Sequence, residues 1–468
     1  MKSKEKKQHM VSYSNNQLNL FTDDRNEYMV KTFRPIHYLG SKLRILDFIK
    51  DTVDKIDPSG GRVCDLFAGS GTVSYYLSKT RPVSSVDIQE YSRVLSSALL
   101  TSKPNKNNIN SFLDKIRSSI HYNKLLKCVN PLIEYEKKCV NKALLGELDP
   151  LSELIEKGSI INFEKKLGSE EFSLDLRKSL ASTISNLNNC NFMVGPEAMV
   201  TRYYGGLYFS YHQAVQIDSL LEVVSQLNDD SNKDFFLAVV LSTVSDIVNT
   251  VGKQFAQPLK PTNSDGTPKK NIINKVQKDR QDNTFSVFRE WLREYTKLEE
   301  PNFENSIYRM DYSDALDILE NNVKVIYADP PYTRYHYSRY YHVLESICLR
   351  DNPSITKIYT DGKEQLTRGI YRDDRHQSPF SIKSKAEDAF NILFEKTHKL
   401  DADLVLSYSP QGSAPRVLSV NKLHSIAKKY YKNIDIISAG QISHSKLNNS
   451  NNNSDVSYDA ELLIVCQL

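Results

Sequence analysis

Residues 61–87 carry the pattern that most limits the fold of this chain: an apolar run, a glycine-rich turn and a second apolar run. The first run spans Val63 to Phe67, the segment after the turn is compatible with a helix, and the second run ends at Asp87. Short apolar runs bounded by glycine predict strands. Two strands joined through a helix predict a parallel pair with a right-handed crossover. We therefore expect an α/β fold built on a parallel sheet.

The alternation of strand and helix patterns stops near residue 102 and resumes near residue 303. The residues between show long helix-like patterns, such as HQAVQIDSLLEVVSQL and FSVFREWLREYTKL. Strand patterns then follow at SIYRMD, VKVIYAD, ADLVLSYS, NIDIISAG and AELLIVCQL, and the Asn-rich KLNNSNNNSD between the last two predicts a loose hairpin loop. The predicted organisation is a flexible tail (1–30), a first core part (31–101), a mainly helical insertion (102–302) and a second core part (303–468).

Composition limits the class of protein more weakly. The chain has 468 residues, of which 40% are hydrophobic and 25% charged, and this balance fits a globular protein of more than one average domain. No apolar run is long enough to span a bilayer, and the start of the chain lacks the apolar segment of a signal peptide, so we expect a cytoplasmic protein. A net charge of +4 does not by itself indicate a nucleic-acid partner. The six cysteines show no CxxC pair or zinc spacing, which predicts reduced thiols and no metal site.

The glycine turn and the acid after the second run together indicate a ligand site. Gly69 and Gly71 allow the backbone to bend sharply and to approach a ligand at the start of the next helix. Asp87 occupies the place of the acid that binds a ribose in doubly wound nucleotide sites. The turn fits neither the GxGxxG dinucleotide spacing nor a phosphate-binding P-loop, so an adenosine-type cofactor is favoured. The alternative role for Asp87 is a cap on the helix that begins with IQEYS.

A second distinctive stretch is IYADPPYTRYHYSRYYHVLE at residues 326–345. One interpretation of its DPPY is a Pro-rich turn after a strand. The other is a pocket that holds a planar substrate. For the aromatic and basic residues that follow, packing of a helix against the sheet and contact with a substrate are about equally favoured.

The order of DLFAGSG, a long insertion and ADPPY resembles the Dam-like adenine-specific DNA methyltransferases, which use S-adenosylmethionine. A third segment agrees, because HYLGSKLRILDFI at residues 37–49 is similar to the N-terminal Y-x-G-x-K segment of that family. The resemblance covers about residues 33–101 and 303–468. It implies a doubly wound, mostly parallel seven-stranded sheet of the Rossmann-like methyltransferase type, with the insertion as a target recognition domain.

The resemblance also implies which residues bind the cofactor. Those of the N-terminal segment would lie at its methionine end, those of the glycine turn would form the cofactor loop, and the acids after the next two strands would lie near its ribose and its adenine. The implied set is Tyr38, Gly40, Lys42, Asp65, Phe67, Gly69, Gly71, Asp87 and Asp311.

DPPY suits the transfer of a methyl group to an exocyclic amine of a base. The lone pair of such an amine is delocalised into the ring, so the enzyme must make the nitrogen more nucleophilic and align it. Asp329 and the carbonyl of Pro330 can accept hydrogen bonds from the amine and draw its nitrogen toward tetrahedral geometry. Pro330 and Pro331 hold the backbone, and Tyr332 offers a ring face for stacking. A base within a duplex must be flipped out of the stack to reach such a pocket.

Basic, amide and aromatic residues outside these motifs are candidates for contacts with double-stranded DNA. They lie in two polar stretches of the insertion and in the run after DPPY: Arg202, Lys253, Gln254, Gln257, Lys260, Lys269, Lys270, Arg334, His336 and Arg339. The predicted function is methylation of adenine N6 in DNA within a restriction-modification or phage-defence system, with a cognate endonuclease or defence-system subunits as partners. The alternatives are methylation of cytosine N4 in DNA or of adenine in RNA, a catalytically silent DNA-binding subunit, and a nicotinamide-dependent dehydrogenase.

Overall fold

Strands form where the sequence shows its short apolar runs. The computed structural model describes residues 33–101, 103–165, 172–320, 322–334, 336–360, 363–409, 417–439 and 461–468, so the predicted tail and the predicted Asn-rich loop lie outside the described residues. The strands are β1 (Arg62–Asp65), β2 (Val83–Asp87), β3 (Ser306–Arg309), β4 (Val323–Ala328), β5 (Lys357–Thr360), β6 (Lys363–Leu366), β7 (Asp403–Tyr408), β8 (Asn433–Ser438) and β9 (Leu462–Gln467). Every predicted strand forms. The β5–β6 hairpin was not predicted, because its residues are largely polar and exposed.

Helices occupy most of the rest of the described chain. They are α1 (Leu46–Ile56), α2 (Thr72–Leu77), α3 (Glu90–Leu100), α4 (Lys106–Arg117), α5 (Ile120–Leu144), α6 (Asp149–Lys157), α7 (Ile160–Lys165), α8 (Leu174–Asn189), α9 (Met199–Tyr204), α10 (Tyr211–Ser225), α11 (Asp230–Ile247), α12 (Ile272–Arg280), α13 (Thr284–Lys297), α14 (Tyr312–Ile318), α15 (Ser338–Leu349), α16 (Ala386–Lys399) and α17 (Val420–Ala427). Short 3-10 turns lie at Leu43–Ile45, Pro196–Ala198, Val251–Lys253 and Pro379–Ser381. None of the helices described has the length and apolar character needed to cross a membrane.

Seven strands form one sheet in the order β3-β2-β1-β4-β7-β9-β8. The central strand β1 pairs in parallel with both β2 and β4, and parallel pairing continues outward to β3 and to β7. β9 runs antiparallel to its two neighbours, β7 and β8. The predicted fold class, a doubly wound and mostly parallel seven-stranded sheet, is confirmed.

The central strands are largely buried because helices cover both faces of the sheet. Two consecutive residues of β4 show this, because their side chains point to opposite faces of the sheet. Val325 packs in the same core cluster as Ile49 of α1, whereas Ile326 packs in the cluster of Phe390 from α16. All of these side chains are fully buried. The sheet therefore separates two apolar layers, and polar groups concentrate where its strands end.

The helices between β2 and β3 have a core of their own. Side chains of α5, α6, α8 and α10 form a buried apolar cluster that includes Leu132, Leu154, Leu180 and Val215. From this region α11 packs against α3 of the sheet layer. Arg34–Leu468 accordingly form one compact unit.

A buried ion pair joins the helices of this region. Arg280, at the end of α12, donates to Glu136 of α5 (2.8 Å) and to the side-chain oxygen of Asn249 (3.1 Å). Only 3% of the Arg280 side chain and 8% of that of Glu136 are exposed. Glu136 also accepts a hydrogen bond from the backbone N–H of Tyr211 (2.9 Å), which starts α10. Loss of the cation would therefore leave an uncompensated buried carboxylate.

We predict that Arg280→Met lowers the free energy of unfolding by about 3–5 kcal/mol, the usual cost of removing one partner of a buried pair. Urea denaturation measures the change. Arg117→Met is the matched control, because Arg117 and its partner Asp114 are each 70% exposed and such a pair contributes at most about 1 kcal/mol. Equal effects of the two substitutions would contradict the buried geometry.

Candidate active site

Two adjacent pockets lie beside the carboxyl ends of β1, β2 and β4. The strand order reverses at β1, so the loops that follow β1 and β4 diverge and leave a crevice. We call the pocket that reaches the end of β2 the Asp87 pocket, and the one that reaches the segment before α1 the Lys42 pocket. The residues that line both are Tyr38, Phe67, Asp329, Pro331 and Tyr337.

The loop after β1 needs glycine for both its turn and its close contacts. Gly69 and Gly71 have φ angles of 54° and 73°, a region that residues with a Cβ rarely adopt. A Cβ on Gly69 would also collide with the phenol of Tyr38. The predicted tight turn is present, and the close neighbour of its backbone is the Tyr38 ring.

The Asp87 carboxylate joins the end of β2 to this loop. One oxygen accepts a hydrogen bond from Gly69 N (2.9 Å) and the other from Gln89 N (2.9 Å). Burial raises the pKa of Asp87, although the two N–H groups oppose the shift. The bond from Gln89 N is the contact expected if Asp87 caps the start of α3. The Asp87 side chain nevertheless also lines the Asp87 pocket. A carboxylate has about four lone-pair sites, so two bonds leave capacity for ligand hydroxyls.

Aromatic rings form much of the Asp87 pocket. The Phe67 ring lies 5.8 Å from that of Tyr312 and 5.5 Å from that of Phe380, measured between centroids. Asp311, which accepts a hydrogen bond from Ser313 N (2.9 Å) at the start of α14, lines the same pocket. Rings beside carboxylates suit a planar group with polar edges, such as a purine nucleoside.

In the Lys42 pocket, one ammonium group lies between two carboxylates. Lys42 Nζ is 2.9 Å from Asp329 Oδ2 and 3.1 Å from Glu461 Oε1. The exposed fractions of the Lys42, Asp329 and Glu461 side chains are 6%, 21% and 2%. Burial would lower the pKa of Lys42, but Asp329 and Glu461 outweigh it and hold that pKa well above its usual value. Lys42 is therefore a cation in this site.

The remaining DPPY residues surround Asp329. Pro330, Pro331 and Tyr332 all line the Lys42 pocket. The Tyr332 ring lies 4.7 Å from the Tyr408 ring at an interplanar angle of 50°, and burial raises its pKa well above the usual value. DPPY is thus a segment without regular structure after β4 that forms part of a pocket wall, and the turn of the first interpretation is not seen at these four residues.

The segment that carries Tyr38 and Gly40 is held over the pockets by α15. The Tyr38 ring stacks on the Tyr341 ring, with centroids 4.9 Å apart and an interplanar angle of 14°. The Tyr341 hydroxyl in turn accepts a hydrogen bond from Leu39 N (2.7 Å). Gly40 has a φ of 78° and lines the Lys42 pocket. Tyr341 is a residue that the sequence analysis did not select.

Asp65, at the end of β1, is a buried acid beneath the glycine loop. It is 1% exposed and accepts a hydrogen bond from Ser74 Oγ of α2 (2.6 Å). Burial raises its pKa to about 7, although Ser74 opposes the shift. Asp65 lines the Lys42 pocket together with other predicted cofactor residues, among them Gly40 and Lys42.

Two of the predicted nucleic-acid contacts are basic residues that pair with acids of the protein. Arg202 is 6% exposed and pairs with Glu164 (3.3 Å). Lys253 Nζ pairs with Asp279 (2.7 Å) and donates to the Asp246 carbonyl (2.6 Å). Arg202 is therefore buried against its partner, whereas Lys253 keeps 24% of its side chain exposed and stays a predicted contact.

The other basic and amide candidates differ in exposure. Gln257, Lys260, Lys270, Arg334 and Arg339 are exposed, whereas Gln254, Lys269 and His336 are half-buried. The Arg339 guanidinium lies 5.1 Å from the centre of the Tyr371 ring, and that of Arg375 lies 5.0 Å from the same ring. Burial and then Arg375 and Arg339 lower the pKa of His336 to about 4. A cationic patch therefore adjoins the DPPY segment.

Sequence reasoning missed Glu461, His376 and Arg375 as members of this region. Glu461 follows the Asn-rich stretch and shares no motif with Asp329, so only the pairing of β9 with β7 brings the two together. His376 lines the Asp87 pocket; burial lowers its pKa, against the opposing effects of Asp311 and Asp87. Among the described residues, no group of three or more His, Cys, Asp or Glu side chains has an arrangement that could hold a metal ion.

Comparison with known proteins agrees with the motifs. Residues 38–138 match the model of the D12 class N6 adenine-specific DNA methyltransferase family. Modification methylase LlaI of Lactococcus lactis subsp. lactis is 24% identical over 405 residues, covering 84% of this chain and 49% of the relative. Type II methyltransferase M.FokI of Planomicrobium okeanokoites is 22% identical over 407 residues, covering 84% and 48%. The chain thus spans about half the length of the curated relatives it matches, and no solved structure matches it significantly. The resemblance predicted from the three motifs is confirmed.

We predict that the stabilising effect of Asp65→Asn grows as the pH rises. The folded-state pKa is about 7 and the unfolded value is about 3.9, so the native state binds a proton that the unfolded state releases. The wild-type chain therefore loses stability as the pH rises from about 4 to about 7, whereas Asn, which can still accept from Ser74, avoids this loss.

Urea denaturation of both proteins between about pH 4 and pH 8 measures the difference. Asp114→Asn, at a site that is 70% exposed, is the control for an exposed carboxylate. A difference in unfolding free energy that narrows with rising pH would contradict the buried, protonated state of Asp65.

Proposed function

We propose that the chain transfers a methyl group from S-adenosylmethionine to the N6 amino group of adenine in double-stranded DNA, in the cytoplasm. The match to the D12 class family supports this activity. The observation that carries the proposal is the position of Asp329, which lines both pockets. The carboxylate of the DPPY motif therefore lies where a nucleoside cofactor in the Asp87 pocket and the amino group of a target base would meet.

The residues of the Asp87 pocket fit S-adenosylmethionine. Asp87 has acceptor capacity for ribose hydroxyls, and Phe67 offers an aromatic face beside Asp311. When bound, the cofactor supplies an electrophilic methyl group on its sulfonium. Tyr38 and Gly40 of the covering segment would lie at its methionine end.

Asp329 and the Pro330 carbonyl would hold the target amine. Hydrogen bonds from the amine to these two acceptors restore electron density to its nitrogen lone pair and align it, which is the way a preorganised polar site accelerates such a reaction. Tyr332, which packs on the buried Tyr408 ring, offers a ring face against which a flipped base can stack.

Exposed cations beside this site would contact the DNA backbone. Arg334, His336 and Arg339 adjoin the DPPY segment. Lys260 and Lys270 are exposed in a loop of the insertion, which we propose as the target recognition domain, and Gln254, Gln257 and Lys269 lie in the same stretch. The relatives are named a modification methylase and a Type II methyltransferase. We accordingly propose a role in restriction-modification or phage defence, with a cognate endonuclease or defence-system subunits as partners.

The decisive experiment is long-read sequencing of modified bases in DNA from a methylase-free host that expresses the chain. We expect N6-methyladenine at a recurring sequence. With Asp329→Ala, we expect no methylation but retained binding of S-adenosylmethionine, because the substitution removes an acceptor for the amine. Detection of N4-methylcytosine would show that the target base is cytosine and not adenine. Unmodified DNA from the wild-type chain would contradict the proposal.

We also predict that Asp87→Ala weakens binding of S-adenosylmethionine about tenfold or more, since a hydrogen bond to a charged group contributes about 1.5–3 kcal/mol. Isothermal titration calorimetry of the purified chain measures the dissociation constant. Asp314→Ala, at an exposed position of α14, is the matched control and should bind normally. An unchanged dissociation constant for Asp87→Ala would remove Asp87 from the cofactor site.

A further inference from the structure

Lys42 and Glu461 form an arrangement that the proposed function does not yet use. The ammonium of Lys42 bridges Asp329 (2.9 Å) and Glu461 (3.1 Å). We propose that Lys42 and Glu461 are positioning residues for methyl transfer, which together hold the Asp329 carboxylate ionised and oriented toward the target amine. This inference rests on the proposed function and names two residues that would act through Asp329.

The bridge is assembled from chain segments that are distant in sequence. Asp329 follows β4, Glu461 precedes β9, and β7 lies between these two strands in the sheet. Ser407 of β7 donates a hydrogen bond to Glu461 Oε1 (2.7 Å), the same oxygen that faces Lys42. The position of the ammonium is therefore set by β7 and β9 on one side and by the DPPY segment on the other.

Burial makes this bridge more than a surface ion pair. The Lys42 and Glu461 side chains are 6% and 2% exposed, whereas Asp329 keeps 21% of its side chain exposed. Buried charges are costly unless they are paired and hydrogen-bonded. Asp329, the most exposed of the three side chains, is the one that lines both pockets. The buried Lys42 and Glu461 side chains therefore support the carboxylate that would contact the substrate.

The charges of the three side chains also suit the chemistry. Two carboxylates and one ammonium carry a net charge of −1, next to the nitrogen that becomes positive as it gains a methyl group. A fixed negative charge stabilises that developing positive charge without reorganisation. A carboxylate has about four lone-pair sites, so a bond to Lys42 leaves Asp329 with capacity to accept from an amine.

This role differs from the one that the sequence resemblance implies. That resemblance places Lys42 at the methionine end of the cofactor, as a cofactor contact. In the structure the ammonium instead lies against Asp329 and Glu461. The two roles predict different effects, because a cofactor contact would alter cofactor binding and a positioning residue would alter turnover and its pH dependence.

The test uses the full chain with tritiated S-adenosylmethionine and unmethylated genomic DNA from a methylase-free host. Four proteins are compared with the wild type: Lys42→Met, Glu461→Gln, the double variant, and Lys50→Met. Lys50 is the matched control, because it pairs with Asp54 (2.6 Å) at the surface of α1. Turnover is measured between about pH 5.5 and pH 9, and calorimetry measures the cofactor dissociation constant.

For Lys42→Met we expect turnover to fall about a hundredfold, as when one preorganised group is removed from a site, with a cofactor dissociation constant within about threefold of the wild type. The acid limb of the pH profile should move to higher pH, because two carboxylates then repel one another. The groups that face Asp329 and can titrate near it are Lys42, Glu461, Asp65, Tyr38, Tyr327 and Tyr332.

The double variant separates positioning from charge balance. Removing Glu461 as well relieves the repulsion, so we expect the acid limb to return toward that of the wild type while turnover stays low, because nothing then orients Asp329. Glu461→Gln alone should reduce turnover without weakening cofactor binding, and Lys50→Met should behave as the wild type.

Two results would overturn the inference while the proposed function stands. One is a wild-type rate with Lys42→Met. The other is a cofactor dissociation constant raised more than about tenfold in Lys42→Met with turnover retained at saturating cofactor, which would make Lys42 a cofactor contact. Absence of labelled DNA with the wild-type chain would instead refute the proposed function and the inference together.

Discussion

The parallel pairing of β1 with both β2 and β4 is the constraint on which the site depends. Leu66 N donates to the Tyr327 carbonyl of β4 (2.9 Å) and Ala68 N to the Val86 carbonyl of β2 (3.0 Å). The glycine loop is therefore bonded to both neighbouring strands before it turns. Because the strand order reverses at β1, the loops after β1 and β4 diverge. Asp87 at the end of β2 and Asp329 after β4 therefore lie on either side of the glycine loop.

The insertion contributes to the site by holding the segment that covers it. His37, beside Tyr38, pairs with Asp246 of α11 (3.0 Å), and the same carboxylate accepts from Trp291 Nε1 of α13 (2.8 Å). His37 N also donates to Ser245 Oγ (2.9 Å). Tyr38 is thus oriented jointly by α15 and by the insertion, which couples a proposed DNA-reading region to the proposed cofactor site.

Residues that belong to a local pattern were predictable, and those brought in by pairing were not. Gly69 and Asp87 follow apolar runs whose strand character shows in the sequence, and their mutual hydrogen bond follows from adjacent parallel strands. Glu461 has no such signal, because its contact with Lys42 requires the antiparallel return of β9 along β7. Arg202 illustrates the opposite error: a basic residue beside aromatics resembles a nucleic-acid contact, but Glu164 pairs with it in the interior.

By itself the sequence determined the strand and helix order, the glycine turn and the position of DPPY directly after a strand, because each depends on residues close together in the chain. Only the tertiary structure decided that Lys42 meets Asp329 and Glu461, that Tyr341 supports Tyr38, and which basic residues reach the surface. These depend on the order of strands and on side-chain burial. Both are set by the lowest free energy of the whole packed chain, where a charge is buried only beside a partner.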